Sequence, residues 1–166
     1  VKRVSSRIAQ LPVGTDVESG SVYLITSAIR GEGKTNLANQ LAMWIAQSSR
    51  SVILCDCNLR HPALHGIHQF NSSLGLSEVL CGKLPLSEVL NDTEIQGLSI
   101  LTAGHCSPDA IQALAQERVK PILEEMRGMA DIVILDCCSV LSFADTNYIC
   151  PYVDQVIFSL KPAFGM

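Results

Sequence analysis

The run Gly31-Glu32-Gly33-Lys34-Thr35, entered through Ser27-Ala28-Ile29-Arg30, constrains the fold more than any other feature of the chain. An apolar stretch, Val22 to Thr26, leads into it and an amphipathic stretch, Asn36 to Gln47, leaves it. A strand that feeds a Gly-rich turn opening a helix is an α/β unit whose turn amides and helix N-terminus converge on one point. Gly31 and Gly33 allow backbone angles and close approaches that a Cβ obstructs, so successive N–H groups can aim at a phosphate. Lys34 adds a point charge on that phosphate, and the Thr35 hydroxyl a ligand for Mg²⁺. Against the pattern G-x-x-x-x-G-K-[ST], Ala28 stands at the first glycine, so the match lies at the functional end of the loop. The competing reading is an ordinary Gly-rich turn before a helix; strand, Gly-Lys-Thr and helix in that order favour the cradle.

Four more apolar runs are read as strands: Ser51 to Cys55, Leu98 to Leu101, Asp131 to Leu135 and Gln155 to Leu160. Helical stretches separate them, the alternation that builds a parallel sheet covered on both faces. In Asn36 to Gln47 the residues Leu37, Leu41, Trp44 and Ile45 share one face, and Trp44 is expected in the core. Leu76 to Leu80 and Pro85 to Leu90 read as short helices. Pro108 to Arg127 reads as a longer one, with Asp109 as cap candidate, an end before Gly128 and a bend or break at Pro121. The expected fold is a three-layer α/β/α P-loop NTPase fold with a mostly parallel central sheet, formed by residues 21–166 behind an N-terminal arm of residues 1–20. Aliphatic side chains must fill the core, because 48% of the 166 residues are hydrophobic but only 5% aromatic. A formal charge of −4 with no Lys/Arg run disfavours nucleic acid as a partner. No apolar run approaches the roughly 20 residues that span a bilayer, and the start lacks a signal-peptide core, so a cytoplasmic location is expected.

In parallel α/β folds ligands lie beyond the carboxyl ends of the strands. Two strands end there in an acid, Val52-Ile53-Leu54-Cys55-Asp56 and Ile132-Val133-Ile134-Leu135-Asp136. The strand fixes the backbone while the carboxylate emerges at the catalytic edge, which suits Asp56 and Asp136 to Mg²⁺ and its waters.

The seven cysteines, several within or beside strands, are expected as free thiols. Two sharper readings place Cys55, Cys57, Cys137 and Cys138 together, as a thiolate metal site or as redox partners. Their C-x-C and C-C spacings are not the C-x₂-C of zinc knuckles, and small buried cysteines are ordinary core residues. His61, His65 and His68 also invite a metal reading, but no acid or cysteine lies within the run, which favours surface or interface histidines.

The order of these motifs resembles the bacterial tyrosine kinase family, the cytoplasmic ATPase domain of polysaccharide co-polymerases in capsule and exopolysaccharide synthesis. The resemblance runs from Val22 to Leu160. Gly31 to Thr35 matches the family's Gly-Glu-Gly-Lys-[Ser/Thr] loop, and Asp56 to Pro62 its Asp-x-Asp-x-Arg strand end followed by Arg-Pro. Gly75-Leu76-Ser77-Glu78-Val79-Leu80-Cys81-Gly82, Leu101-Thr102-Ala103-Gly104 and the loop from Asp136 to Asp145 match three further family segments.

By position, the resemblance implies ATP and Mg²⁺ as cofactors and transfer of the γ-phosphoryl group to tyrosine. It implies nucleotide contacts from Gly31, Glu32, Gly33, Lys34, Thr35, Asn36 and Arg60, metal contacts from Thr35, Asp56 and Asp136, and catalytic roles for Lys34, Asp56 and Asp136. The implied partners are a membrane-embedded co-polymerase subunit or a fused transmembrane region, and further copies of the chain; the implied place is the inner face of the bacterial plasma membrane. Three departures stand out. Asn58 replaces the second acid of Asp-x-Asp, Cys138 and Ser139 replace two prolines, and only Arg7 aligns with the family's upstream Glu-x-x-Arg-x-x-Arg motif. The family's last helix and Tyr-rich tail are expected to be lacking. Loss of a carboxylate at Asn58 is expected to weaken metal binding and any general-base role, typically worth about 10²–10⁴-fold in rate. Two other readings therefore stay open: a regulatory module that binds nucleotide without efficient chemistry, and a MinD/ParA-like ATPase, although Ile29 occupies the position of that group's second lysine.

Overall fold

The computed structural model describes residues 20–161. Of the expected arm only Gly20 is among them, so Arg7 and residues 162–166 lie outside the described residues. Six strands form one sheet in the order β3-β4-β2-β5-β1-β6. They are β1 (Ser21–Ser27), β2 (Val52–Asp56), β3 (Leu90–Asp92), β4 (Leu98–Leu101), β5 (Ile132–Asp136) and β6 (Gln155–Ser159). Every pairing is parallel except β3 with β4. The helices are α1 (Lys34–Gln47), α2 (Leu64–His68), α3 (Leu76–Leu80), α4 (Leu86–Val89), α5 (Pro108–Ala115), α6 (Val119–Met129) and α7 (Asp145–Ile149), with a 3₁₀ turn at Cys150–Tyr152.

The central strands β1, β2 and β5 are buried along their whole length, which is why they read as continuous apolar runs rather than alternating ones. Alternate residues serve opposite layers. Val22, Leu24, Ile53, Val133 and Leu135 pack with Leu114, Ile122, Leu123 and Met126 of α5 and α6. Tyr23, Ile25, Leu54 and Ile134 pack with Ala38, Leu41, Ala42 and Ile45 of α1, against which Leu37 and Trp44 lie partly buried.

The long helix expected over Pro108 to Arg127 is two helices. The break falls at Gln116–Arg118, where Glu117 takes a left-handed φ of 62°. Pro121 then stands in the first turn of α6, where its missing N–H leaves no bond unmade. The cap of α5 is Ser107 rather than Asp109: the Ser107 side chain accepts from the Ala110 amide at 3.2 Å. α6 runs through Gly128 to Met129. The Pro85 to Leu90 stretch gives a single turn and then β3, whose antiparallel register sets Leu90 against Leu101 and Asp92 against Ser99. The Ser99 hydroxyl donates to Asp92 at 3.0 Å across that pair.

Two segments quoted for the family resemblance form a structural joint. Leu76 and Ser77 donate from their amides to the Thr102 and Ala103 carbonyls, and the buried Glu78 carboxylate accepts from the amides of Gly75 at 2.8 Å and His105 at 3.3 Å. A Cβ on Gly75 would collide with the Thr102 carbonyl and the Gly104 amide, backbone atoms that cannot swing aside. Gly75→Ala is therefore expected to destabilise by about 1–3 kcal/mol, read as a lower urea midpoint at unchanged slope.

Candidate functional site

The loop between β1 and α1 is pinned at several points. The Ser27 hydroxyl donates to the Ile29 carbonyl at 2.7 Å, the Ile29 amide donates to the Glu32 carboxylate at 3.1 Å, and Ser159 of β6 donates to the Glu32 carbonyl at 2.6 Å. Gly31 and Gly33 hold φ near +80°, which favours glycine. Gly33 caps α1 without a side-chain bond to the first turn, and that turn holds no acidic residue. The leading amides of a fourteen-residue helix are thus left for an anion. Lys34 is buried, 8% exposed, and forms no ion pair among the described residues.

The two acids stand side by side, because β2 and β5 pair with Asp56 opposite Asp136. The Thr35 hydroxyl donates to Asp136 Oδ2 at 2.7 Å, while Asp136 Oδ1 is buried without a partner. Burial pushes the Asp136 carboxyl up to about 7; the Thr35 hydrogen bond opposes that and the Asp56 charge adds to it. Asp56 is wholly buried, accepting from the amides of Asn58, Ala63 and Leu64 at 2.9–3.1 Å. Burial still outweighs those bonds and lifts it to about 6. Two neighbouring carboxyl groups, both short of counter-charge and one with an unsatisfied oxygen, are a donor set that a divalent cation fits.

A cavity of about 160 Å³ lies between Gly31, Lys34 and Thr35 on one side and Asn58, His61 and Phe143 on the other; neither acid lines it, and Thr35 joins it to Asp136. Asn58 is spoken for, its Oδ1 accepting from the His61 amide at 3.2 Å. Arg60 does not line this cavity. Its guanidinium is held by both oxygens of Asp145, at 2.8 and 3.1 Å, and lies 4.4 Å over the Phe143 ring. Asn36 is exposed on α1 away from the cavity, and the Glu32 side chain turns back on its own loop. The histidine run is splayed: His61 lines the cavity while His68 Nε2 meets Asn39 Oδ1 at 2.6 Å. Among the described residues no group of three or more His, Cys, Asp or Glu is placed to hold a metal, which leaves the four-cysteine metal reading without a site. Asp145 and Phe143 carry no candidate role from sequence, and His61 enters only through the histidine run; Asp145 ends a recognised motif, whereas nothing local marks Phe143.

A glycine loop opening a helix, with two strand-end acids beside it, at the carboxyl edge of a parallel sheet, defines a P-loop nucleotide-binding domain. The AAA domain family matches residues 23–165. The tyrosine-protein kinase YwqD of Bacillus subtilis (strain 168) is 31% identical over 141 residues, an alignment covering 81% of this chain and 60% of YwqD. The solved kinase domain of the Escherichia coli tyrosine kinase ETK superposes with a TM-score of 0.83 at 28% identity, covering 95% of this chain and 60% of that one. The septum site-determining protein MinD of Pyrococcus horikoshii, solved with Mg-ADP, shares the fold alone, at a TM-score of 0.76 and 19% identity over 87% of this chain and 59% of that one. The chain belongs to the AAA domain family and, within it, to the P-loop ATPase domains of the bacterial tyrosine kinases. It spans about three fifths of YwqD's length.

Proposed function

We propose that this domain binds Mg·ATP in the cradle above Asp136 and transfers the γ-phosphoryl group to tyrosine, as the cytoplasmic regulatory kinase of a capsule or exopolysaccharide system. The observation that carries the reading is the orphaned Asp136 Oδ1 beside the Thr35 hydroxyl, at the uncapped start of α1. Amides of Gly31 to Thr35 orient the phosphates and Lys34 neutralises them. Thr35 and Asp136 hold the metal, with Asp56 fixing the acid edge. Mg²⁺, when bound, supplies charge neutralisation across the phosphates. Catalysis of this kind rests on positioning and preorganised charge. The solved ETK kinase domain and the YwqD tyrosine-protein kinase support the phosphoryl acceptor, and the MinD structure with Mg-ADP supports the nucleotide. Attachment to a membrane-embedded co-polymerase, as a separate subunit or a fused region, and self-association at the inner membrane face follow from the family resemblance. No described helix is long and apolar enough to cross a membrane.

Asn58 favours a second reading, a nucleotide-binding module that regulates without efficient chemistry. Its amide replaces a carboxylate beside the metal position, and its oxygen is engaged by the His61 amide. Restoring the charge separates the two. Asn58→Asp is expected to raise the phosphotyrosine formed with Mg·ATP by about 10²-fold, measured by anti-phosphotyrosine detection over time. No phosphotyrosine in either protein, with binding intact, selects the regulatory module.

A further inference from the structure

Two aromatic rings with no part in the proposed chemistry form the wall of the cavity that faces the phosphate loop. Phe143 and His61 stand opposite Gly31, Lys34 and Thr35, their ring centroids 6.2 Å apart and their planes tilted by 42°. Phe143 is braced: the Arg60 guanidinium lies 4.4 Å over its ring without lining the cavity, and both oxygens of Asp145 fix that guanidinium. His61 is held through its backbone, where its amide donates to Asn58 Oδ1 at 3.2 Å. Both residues reach solvent, His61 exposed and Phe143 half-buried. Beside them the loop after β5 is tied to the phosphate loop, the Val140 and Leu141 amides donating to the Ser27 and Ala28 carbonyls at 2.9 and 3.2 Å. That seam leaves Ile29 56% and Leu141 76% exposed, each next in sequence to a residue that lines the cavity, Arg30 and Ser142. Among the described residues no acidic side chain lines it.

We propose that Phe143 and His61 are the specificity-determining residues of the acceptor site, packing against the phenol ring of the incoming tyrosine and so selecting it over serine and threonine. In-line transfer sets the acceptor oxygen on the far side of the phosphorus from the leaving oxygen. The loop amides and Lys34 take the leaving side, so the acceptor meets the facing wall, which is Phe143, His61 and Asn58. A phenol ring there makes offset or edge-to-face contacts with the two rings, and such a pair contributes up to about tenfold in affinity. A serine or threonine hydroxyl on its short aliphatic stem offers no ring and gains none of this. The bracing by Arg60 and Asp145 keeps the Phe143 ring in place before the acceptor arrives, which lowers the ordering cost of binding. Exposed Ile29 and Leu141 extend the same apolar character to the residues that flank the tyrosine.

The inference rests on the tyrosine-kinase reading above, so acceptor binding and phosphoryl transfer are measured separately. The full chain, with Mg²⁺ and a non-hydrolysable ATP analogue, is titrated calorimetrically with a short neutral peptide carrying one tyrosine and with its serine counterpart. Phosphotyrosine formation from Mg·ATP is followed on the same tyrosine peptide. The tyrosine peptide is expected to bind about tenfold or more tighter than the serine one. Phe143→Leu and His61→Ala each raise its Kd and KM, by up to about tenfold, while kcat and Mg·ATP affinity stay unchanged. Phe143→Tyr and His61→Phe keep a ring and keep the affinity, whereas a Phe143 that merely fills space is replaced equally well by leucine. No preference for tyrosine in the unaltered chain overturns the proposal, as do Kd and KM that survive both Phe143→Leu and His61→Ala. Ring-dependent binding of the tyrosine peptide with no phosphotyrosine formed overturns the kinase reading and leaves the aromatic site standing.

Discussion

Lys34→Ala lowers Mg·ATP affinity by about 10²-fold or more, while the apo domain melts at or slightly above the temperature of the unaltered protein. Lys34 is almost fully buried and forms no ion pair among the described residues, so in the empty domain the unbonded attraction of the Asp136 charge offsets only part of the desolvation of its ammonium. Removing it relieves a cost there. With triphosphate in the cradle the same ammonium makes charge-assisted bonds, each worth about 1.5–3 kcal/mol, and tenfold in affinity corresponds to about 1.4 kcal/mol. Opposite signs in the two measurements distinguish a ligand-directed charge from a structural one. Calorimetry and thermal melts on the same samples read both.

Asp136→Asn removes the Mg²⁺ dependence of nucleotide binding and flattens the dependence of apo stability on pH. A carboxyl whose pKa is raised on folding contributes stability that is full below its unfolded value, 3.8, and is lost as pH rises through its folded value, about 7 for Asp136 and about 6 for Asp56. The apo protein is therefore expected to melt lower at pH 8 than at pH 5, by about 3–8 °C. Mg·ATP reverses the fall, since ligand at a hundredfold excess over Kd adds about 2.7 kcal/mol and the cation supplies the missing counter-charge. In Asp136→Asn the ionisation that costs most is gone, so the melting temperature varies less between those pH values. Affinity for ATP with Mg²⁺ falls about 10²-fold toward that for ATP alone. An undiminished Mg²⁺ effect in the variant places the metal elsewhere.

The features legible in the sequence are those written in contiguous residues. Strands buried on both faces demand unbroken apolar runs, so β1, β2 and β5 could be read to within two residues at either end; β4, and the largely exposed β6 through its Val156-Ile157-Phe158 run, could be read as closely. The loop and its helix could be read because glycine, lysine and threonine each carry a separate physical requirement. β3 escaped, since three residues of antiparallel edge carry no periodicity and only the register against Leu98–Leu101 defines them. Pro121 is the breaker that the sequence offers before α6, yet the left-handed Glu117 makes the break and the proline sits inside the first turn of the helix that follows. At the site, Asp56 and Asp136 could be paired by reasoning about strand ends. Arg60 could not be aimed: a guanidinium goes to the nearest rigid carboxylate, and Asp145 lies 85 positions along the chain. Only the folded sheet brings the loop after β2 against the loop after β5, so nothing in the sequence sets Phe143 against His61.

The central claim, a Mg·ATP site built on Lys34, Thr35 and Asp136, is tested most directly by calorimetric titration of the purified chain with ATP, with and without Mg²⁺, beside Lys34→Ala. Saturable binding that strengthens with Mg²⁺ and is lost in Lys34→Ala is the predicted result. Binding of equal strength in both proteins, or none in the unaltered chain, contradicts it.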